Sequence, residues 1–362
     1  MTSPRFLTAA VAAMLVLAAA SRGDAADEIT RKGSAAPLRG EITEFSRTEV
    51  TIKTGLRANQ RDEKVPVNVI ARIEWDGEPS KLSLNRNAEA AGRYGEAIKG
   101  YGEALAEVPG ENARLQTDVT FLIARATARQ ALVDPPKLDD AIAKLEAFRS
   151  ANSNHFRHFE ATSLLGELYL AKRDFIKAAP IFQQLEQAPW NDYKMAAKNA
   201  GGRLNLLNDK PEAAQADFDS VLAIDATSPG EVAERLQALL GKATALQRLG
   251  QPAEAQQEIE RVIEQADNND SETLAEAYVR LGDSLQAQNK PQEALVAYLH
   301  VDVIPKLARE SQHHSEALLH LSNLWNAVSR PDRAGEARDL LMSRYPTSDA
   351  ARKLSAPAAG SE

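Results

Sequence analysis

The chain has 362 residues, 43% hydrophobic, 26% charged and only 5% aromatic, a balance that suits close-packed helices more than a sandwich or a deep ligand pocket. A formal net charge of −8 argues against nucleic acid, whose phosphates demand a concentrated basic face. The absence of cysteine excludes disulfides, thiolate catalysis and cysteine-held metals.

The first element is a leader. Arg5 supplies a positive start, Phe6 to Ala20 an apolar run, and small residues follow at Ala18 to Ala20 and Gly23 to Ala25. Residues 1–25 therefore read as a secretory signal peptide. The apolar run is shorter than the roughly 20 residues that span a bilayer. No cysteine follows it, so a lipoprotein anchor cannot form. The expected product is exported and soluble, periplasmic, with no membrane insertion after signal cleavage.

Residues 27–78 have a β texture. Leu38 to Phe45, Glu49 to Lys53 and Val65 to Ile70 alternate apolar and polar residues with β-branched enrichment, which predicts four or five short strands. Gly40, Gly55 and the polar stretch Arg57 to Lys64 are read as turns. Ile29, Ile42, Val50, Ile52, Val67, Ile70 and Ile73 are the expected inward set. The spacing of Gly40 and Ile42, Val50 and Ile52, and Ile70 and Ile73 resembles that of a small SH3-like or Sm-like barrel. The turn from Asp76 to Pro79 closes this module.

A helical pattern then runs over residues 80–354, and residues 355–362 form a low-complexity tail expected to be disordered. Within the helical part a phrase recurs at Pro211 to Ala214, Pro252 to Ala255, Pro291 to Ala294 and Pro331 to Ala334, its alanines 41, 39 and 40 residues apart. Turn-prone Asp209, Gly250, Asn289 and Ser329 precede it. Each copy thus reads as a helix end, a tight turn, and a new helix with proline in its first turn. Extended backwards, the alanine anchors are Ala97, Ala141, Ala178, Ala214, Ala255, Ala294 and Ala334, which makes seven helical hairpins. The second copy carries a longer loop with Pro135 and Pro136, read as a spacer.

Two further registers support the pairing. Twelve residues before five anchors stand Gly166, Gly202, Ala243, Gly282 and Ser322, small enough for close helix approach. Four residues after the anchors come Tyr101, Leu145, Phe182, Phe218, Ile259 and Tyr298, and seven after come Ala104, Phe148, Leu185, Val221, Val262, Val301 and Leu341. Those offsets share the anchor's own helix face.

This combination of small residue, turn, alanine and aromatic resembles the tetratricopeptide repeat over roughly residues 80–350. The resemblance implies a mainly α fold, a right-handed α-solenoid of about seven such hairpins behind the small all-β module. The period of 36 to 44 residues exceeds the family's 34 or so, and Arg338 stands where an aromatic is usual. Longer helices and an atypical capping repeat account for the two departures.

No catalytic motif is present: no serine-nucleophile elbow, zinc-protease helix, phosphate loop or dinucleotide glycine pattern. His313, Glu316 and His320 share a helix and His155 lies three residues from His158, yet two histidines without a third ligand do not close a metal site. They are read as polar helix faces, and no metal and no cofactor is expected. Asp139, Asp140, Asp267 and Asp270 are read as helix caps. Trp75 and Trp325 are read as packing residues, and Trp190, following Pro189, as a candidate for exposure.

Family resemblance places ligand contacts on the concave wall made by the first helix of each hairpin, which here points to Glu167, Thr244, Gln247, Asp283, Asn323 and Asn326. Acidic Glu167 and Asp283 stand where some family members clamp a C-terminal carboxylate, and they would repel one. The expected function is an exported, non-enzymatic scaffold that binds a peptide or protein partner of the cell envelope. Two alternatives stay open: an assembly subunit that docks partners through the β module, and an envelope glycan- or metal-binding protein.

Overall fold

The computed structural model describes residues 26–55 and 59–355. The expected signal peptide lies outside the described residues, as does the tail beyond Ser355.

Five antiparallel strands come first: β1 (Asp27–Arg31), β2 (Leu38–Phe45), β3 (Glu49–Thr54), β4 (Arg61–Pro66) and β5 (Ile70–Glu74), in sheet order β4-β3-β2-β1-β5. Every residue expected to face inward is buried, joined by Val65 and Trp75. The Asp27 carboxylate fastens the start of the chain, accepting from the Ile42 amide at 2.7 Å and the Asp76 amide at 2.8 Å. Some expectations fail here. Gly40, read as a turn, lies within β2, where it pairs with Asp27 of β1 and Thr54 of β3. Val65 to Ile70 is not a strand: Val65 and Pro66 end β4, Val67–Val69 form a 3-10 turn, and Ile70 opens β5. The charged stretch expected to be a turn supplies β4 itself. An edge strand pairs on one side only, so Arg61, Asp62 and Lys64 keep their side chains in water while the backbone joins the ladder.

Seven helical hairpins follow. They are α1 (Lys81–Ala90) with α2 (Tyr94–Glu107), α3 (Ala113–Val133) with α4 (Leu138–Ala151), and α5 (His158–Ala171) with α6 (Phe175–Glu186). Next come α7 (Asn191–Leu207) with α8 (Pro211–Leu222) and α9 (Pro229–Arg248) with α10 (Pro252–Gln265). Then α11 (Ser271–Ala287) pairs with α12 (Pro291–Val303), and α13 (Ser311–Ala327) with α14 (Pro331–Arg344). A short α15 (Asp349–Ser355) buries Ala350 and Ala351 at the end of the stack, which leaves Arg338 exposed at its aromatic-type position. The Pro135–Lys137 segment, expected as a loop spacer, is one 3-10 turn that runs straight into α4.

Six of the seven hairpins turn by one device. Gly92, Arg173, Asp209, Gly250, Asn289 and Ser329 have φ between 56° and 74°. The next amide reaches back five residues, as Lys210 N–H to the Asn205 carbonyl and Lys290 N–H to that of Leu285, both at 2.9 Å. A left-handed residue closing that bond ends a helix cleanly. Proline then opens α8, α10, α12 and α14, where its missing N–H has no partner to lose.

All seven anchor alanines are buried. Three of the small residues twelve positions earlier, Gly166, Gly202 and Gly282, lie against an aromatic ring of the same hairpin. A Cβ added to Gly166, Gly202 or Gly282 would stand 2.5, 2.6 or 2.4 Å from the ring of Phe182, Phe218 or Tyr298. Glycine is therefore the device that lets each of these rings approach the preceding helix closely.

The sheet is not a free appendage. Trp75 Nε1 donates to the buried Asp118 carboxylate of α3 at 2.9 Å, and Arg114 donates to the Ile42 carbonyl at 2.8 Å. Phe45 packs edge-on against His155 and Phe156, and Asn68 donates to Asp192 at 3.2 Å. These partners stand at or just before the N-termini of α3, α5 and α7. Asp118 also holds Arg157 at 2.9 Å, and Glu89 binds Arg125 at 2.8 Å. The sheet and the first hairpins share one apolar core.

Candidate functional site: the inner wall of the solenoid

The first helices of successive hairpins, α3, α5, α7, α9, α11 and α13, pack on one another, whereas the second helices do not pack on one another to that degree. A stack compressed along its first helices curves toward them, so they form the inner wall. A cavity of about 260 Å³ opens there between α5, α7, α9 and α11.

Helical spacing aims its polar residues. Glu167 lies four residues after Ser163, Arg203 four after Asn199 and Arg280 four after Glu276, so each pair shares one face. Leu206, Phe218 and Leu240 supply the apolar floor. Arg203 is tied to Glu167, and Arg280 Nη2 donates to Glu276 at 3.3 Å. Among the described residues Glu234 makes no such ion pair. Its partner is Asn199, whose Nδ2 donates at 2.9 Å both to the Glu234 carboxylate and to its backbone carbonyl. Burial pushes the Glu234 carboxyl up to about 7; the Asn199 donor and the Arg203 charge oppose that, and Glu167 and Asp192 add to it.

Three buried atoms on residues lining this cavity have no partner among the described residues: Asn199 Oδ1, Arg203 Nε and Arg280 Nε. The two acceptors on Glu234 fix the Asn199 amide with its nitrogen inward, which leaves the oxygen unused. A second cavity of about 250 Å³ adjoins the first. Ser163, Ala196 and Glu234 line both, and Lys32 from the β1–β2 connection, Arg129 and Asp192 line the second. Glu234 therefore stands at the junction of a groove that reaches from the sheet to α11.

Of the six residues singled out from the sequence, Glu167 and Thr244 line the first cavity. Gln247 donates to the Arg280 carbonyl at 3.4 Å, and Asp283 accepts from the Tyr298 hydroxyl at 2.7 Å. Asn323 and Asn326 are exposed farther along, on α13, and Asn326 donates to the Ser322 carbonyl at 3.1 Å. Glu167 is not a free charge, because Arg203 neutralises it; it repels a carboxylate less than its position implied. Sequence reasoning passed over Asn199, Arg203, Glu234 and Arg280. Arg203 had a signal: it follows Gly202 as Glu167 follows Gly166 and Asp283 follows Gly282.

Two of the histidines singled out from the sequence stack on aromatic rings. His320 stacks on Tyr298 with centroids 4.7 Å apart, and His155 stacks on Phe156 at 4.3 Å. Among the described residues no group of three or more histidine, aspartate or glutamate side chains is placed to hold a metal ion. Asp270 caps α11 through the Thr273 amide at 3.1 Å. Trp190, a candidate for exposure, is half-buried against Phe159 and Tyr193.

The tetratricopeptide repeat family model matches residues 234–301, which run from within α9 to within α12. No curated protein matches the chain. Among solved structures it is similar to a tetratricopeptide repeat protein from Parabacteroides merdae, with 16% identity and a TM-score of 0.49, covering 76% of this chain and 95% of that one. It is similar to the apo quorum sensor NprR from B. thuringiensis, with 16% identity and a TM-score of 0.49, covering 73% and 74%. It is also similar to Pseudomonas aeruginosa PilF, with 14% identity and a TM-score of 0.41, covering 66% and 97%. Such identities transfer no partner from those proteins to this chain. Among the described residues no helix is long and apolar enough to cross a membrane.

Proposed function

We propose that the protein is a non-enzymatic interaction scaffold that binds an extended segment of a peptide or protein along the inner wall of its solenoid. One observation carries this reading: the wall keeps buried hydrogen-bonding atoms of both kinds unspent. Asn199 Oδ1 is an acceptor, and Arg203 Nε and Arg280 Nε are donors. Burying such atoms without partners is costly, and a peptide backbone offers a donor and an acceptor at every residue. The apolar leader at Phe6 to Ala20 supports placing this scaffold outside the cytoplasm, with its partner in the cell envelope. The sheet serves, on this reading, to brace the second, third and fourth hairpins.

The test is a pull-down from envelope extract with the wild-type chain beside Gln237→Trp. Gln237 is exposed and lines the wall, so the substitution fills the groove without touching the core. The expected result is a partner enriched by wild type and lost by the variant, with an unchanged helical circular dichroism spectrum. A partner retained equally by both proteins refutes the wall as the binding surface.

A further inference from the structure

We propose that the cavity at Asn199 and Glu234 is a specificity pocket for one lysine side chain of the bound segment, whose ammonium group donates to Asn199 Oδ1 and to the Glu234 carboxylate. This rests on the scaffold reading and adds the chemistry that selects the partner. Three features converge. First, the arginines of the cavity are already matched, Arg203 with Glu167 and Arg280 with Glu276. Glu234 is the carboxylate left over. Second, Asn199 is 3% exposed, lines the cavity, and leaves its oxygen without a partner. Two acceptors on neighbouring side chains, one of them anionic, call for a donor cation. Third, Leu206, Phe218 and Leu240 give this cavity of about 260 Å³ an apolar floor. It suits a single long side chain, whose methylene stem would cover the apolar floor while its head reaches the acceptors.

The raised Glu234 carboxyl follows from the same deficit. Without an ion pair of its own, burial favours the neutral acid, and its carboxyl is pushed up to about 7 although the Arg203 charge opposes this. The charged groups around it are Glu167 and Glu160 on α5, Asp192 and Arg203 on α7, Glu276 and Arg280 on α11, Arg129 on α3 and Lys32 beside β1. An arriving ammonium supplies the missing charge, so Glu234 ionises and a proton leaves. Binding should therefore strengthen as pH rises through about 7.

The probe is a set of four blocked heptapeptide pools, randomised except for a central lysine, arginine, norleucine or glutamate. Retention is measured on the full chain and on Glu234→Gln, which keeps the Asn199 bond and removes only the charge. The expected result at pH 8 is a preference of about tenfold or more for the lysine pool over norleucine, the order of one desolvated charge pair. It should be lost in Glu234→Gln and weakened at pH 6. Equal retention of all pools, or a lysine preference unchanged in Glu234→Gln, overturns the pocket assignment and leaves the scaffold standing. Retention of no pool also overturns it, whereas the scaffold falls only if wild type and Gln237→Trp enrich the same proteins.

Discussion

Alanine substituted for Gly202 should destabilise the protein, although the same change elsewhere in its helices should stabilise it. Gly202 lies within α7. On helix propensity alone the change gains about 0.8–1 kcal/mol. The added Cβ, however, would stand 2.6, 2.7 and 3.0 Å from three ring carbons of Phe218. That ring is 1% exposed and is packed just as closely against Gly241 of α9, where an added Cβ would meet it at 2.4 Å. Overpacking of this kind costs about 1–3 kcal/mol and can cost more. The clash contacts are shorter than side chains tolerate, so the upper part of that range applies and the net loss is about 1–2 kcal/mol. Gly102 in α2 and Gly335 in α14 have open space around the added carbon, and alanine there should gain the propensity term in full. Urea denaturation followed by helical circular dichroism measures all three. Phe218→Leu removes the ring, and in that background Gly202→Ala should cost much less. Gly202→Ala as stabilising as Gly102→Ala would refute the packing argument.

Two further outcomes follow from the same geometry. Arg173 turns a hairpin at φ 61°, a strained region for a side chain, so Arg173→Gly should raise stability by about 0.5–1 kcal/mol; a lower urea midpoint would show that the arginine makes contacts worth more than the strain. Acid should weaken the fold in two stages. Burial pushes the His155 imidazole down from 6.5 to about 4, so the unfolded chain takes the proton first and stability falls as pH drops from 6.5 toward 4. Burial alone would raise the Glu160 carboxyl, but Arg157, Arg125 and Arg129 hold it at about 2. Its share of stability is present above 4.5 and lost between 4.5 and 2. His155→Gln should flatten the upper limb only, and urea midpoints with the wild-type slope between pH 6.5 and 4 would assign that limb elsewhere.

The hairpins were legible because their signals are local. The proline at a helix start, the left-handed residue before it and the alanine three positions on all act within one turn of chain, and spacings of four and seven state which face is buried. Arg173 escaped notice because an arginine in the left-handed region has no compositional mark. Strand β4 escaped notice because an edge strand with one wet face needs only Val65 inside, so its sequence reads as a polar turn.

The inner wall had a different origin. Asn199 and Glu234 are 35 residues apart, and nothing in the repeat phrase says that α7 and α9 rotate so that one amide meets the other's carboxyl. What the structure adds there is the Phe218 ring, which packs against Gly202 of α7 and Gly241 of α9 at once. Likewise Trp75 reads as an ordinary apolar residue until α3 brings Asp118 to its nitrogen. Periodicity encodes how neighbours pack. Which polar groups are left over at the inner surface depends on accumulated twist and on burial, and these exist only once the stack is assembled.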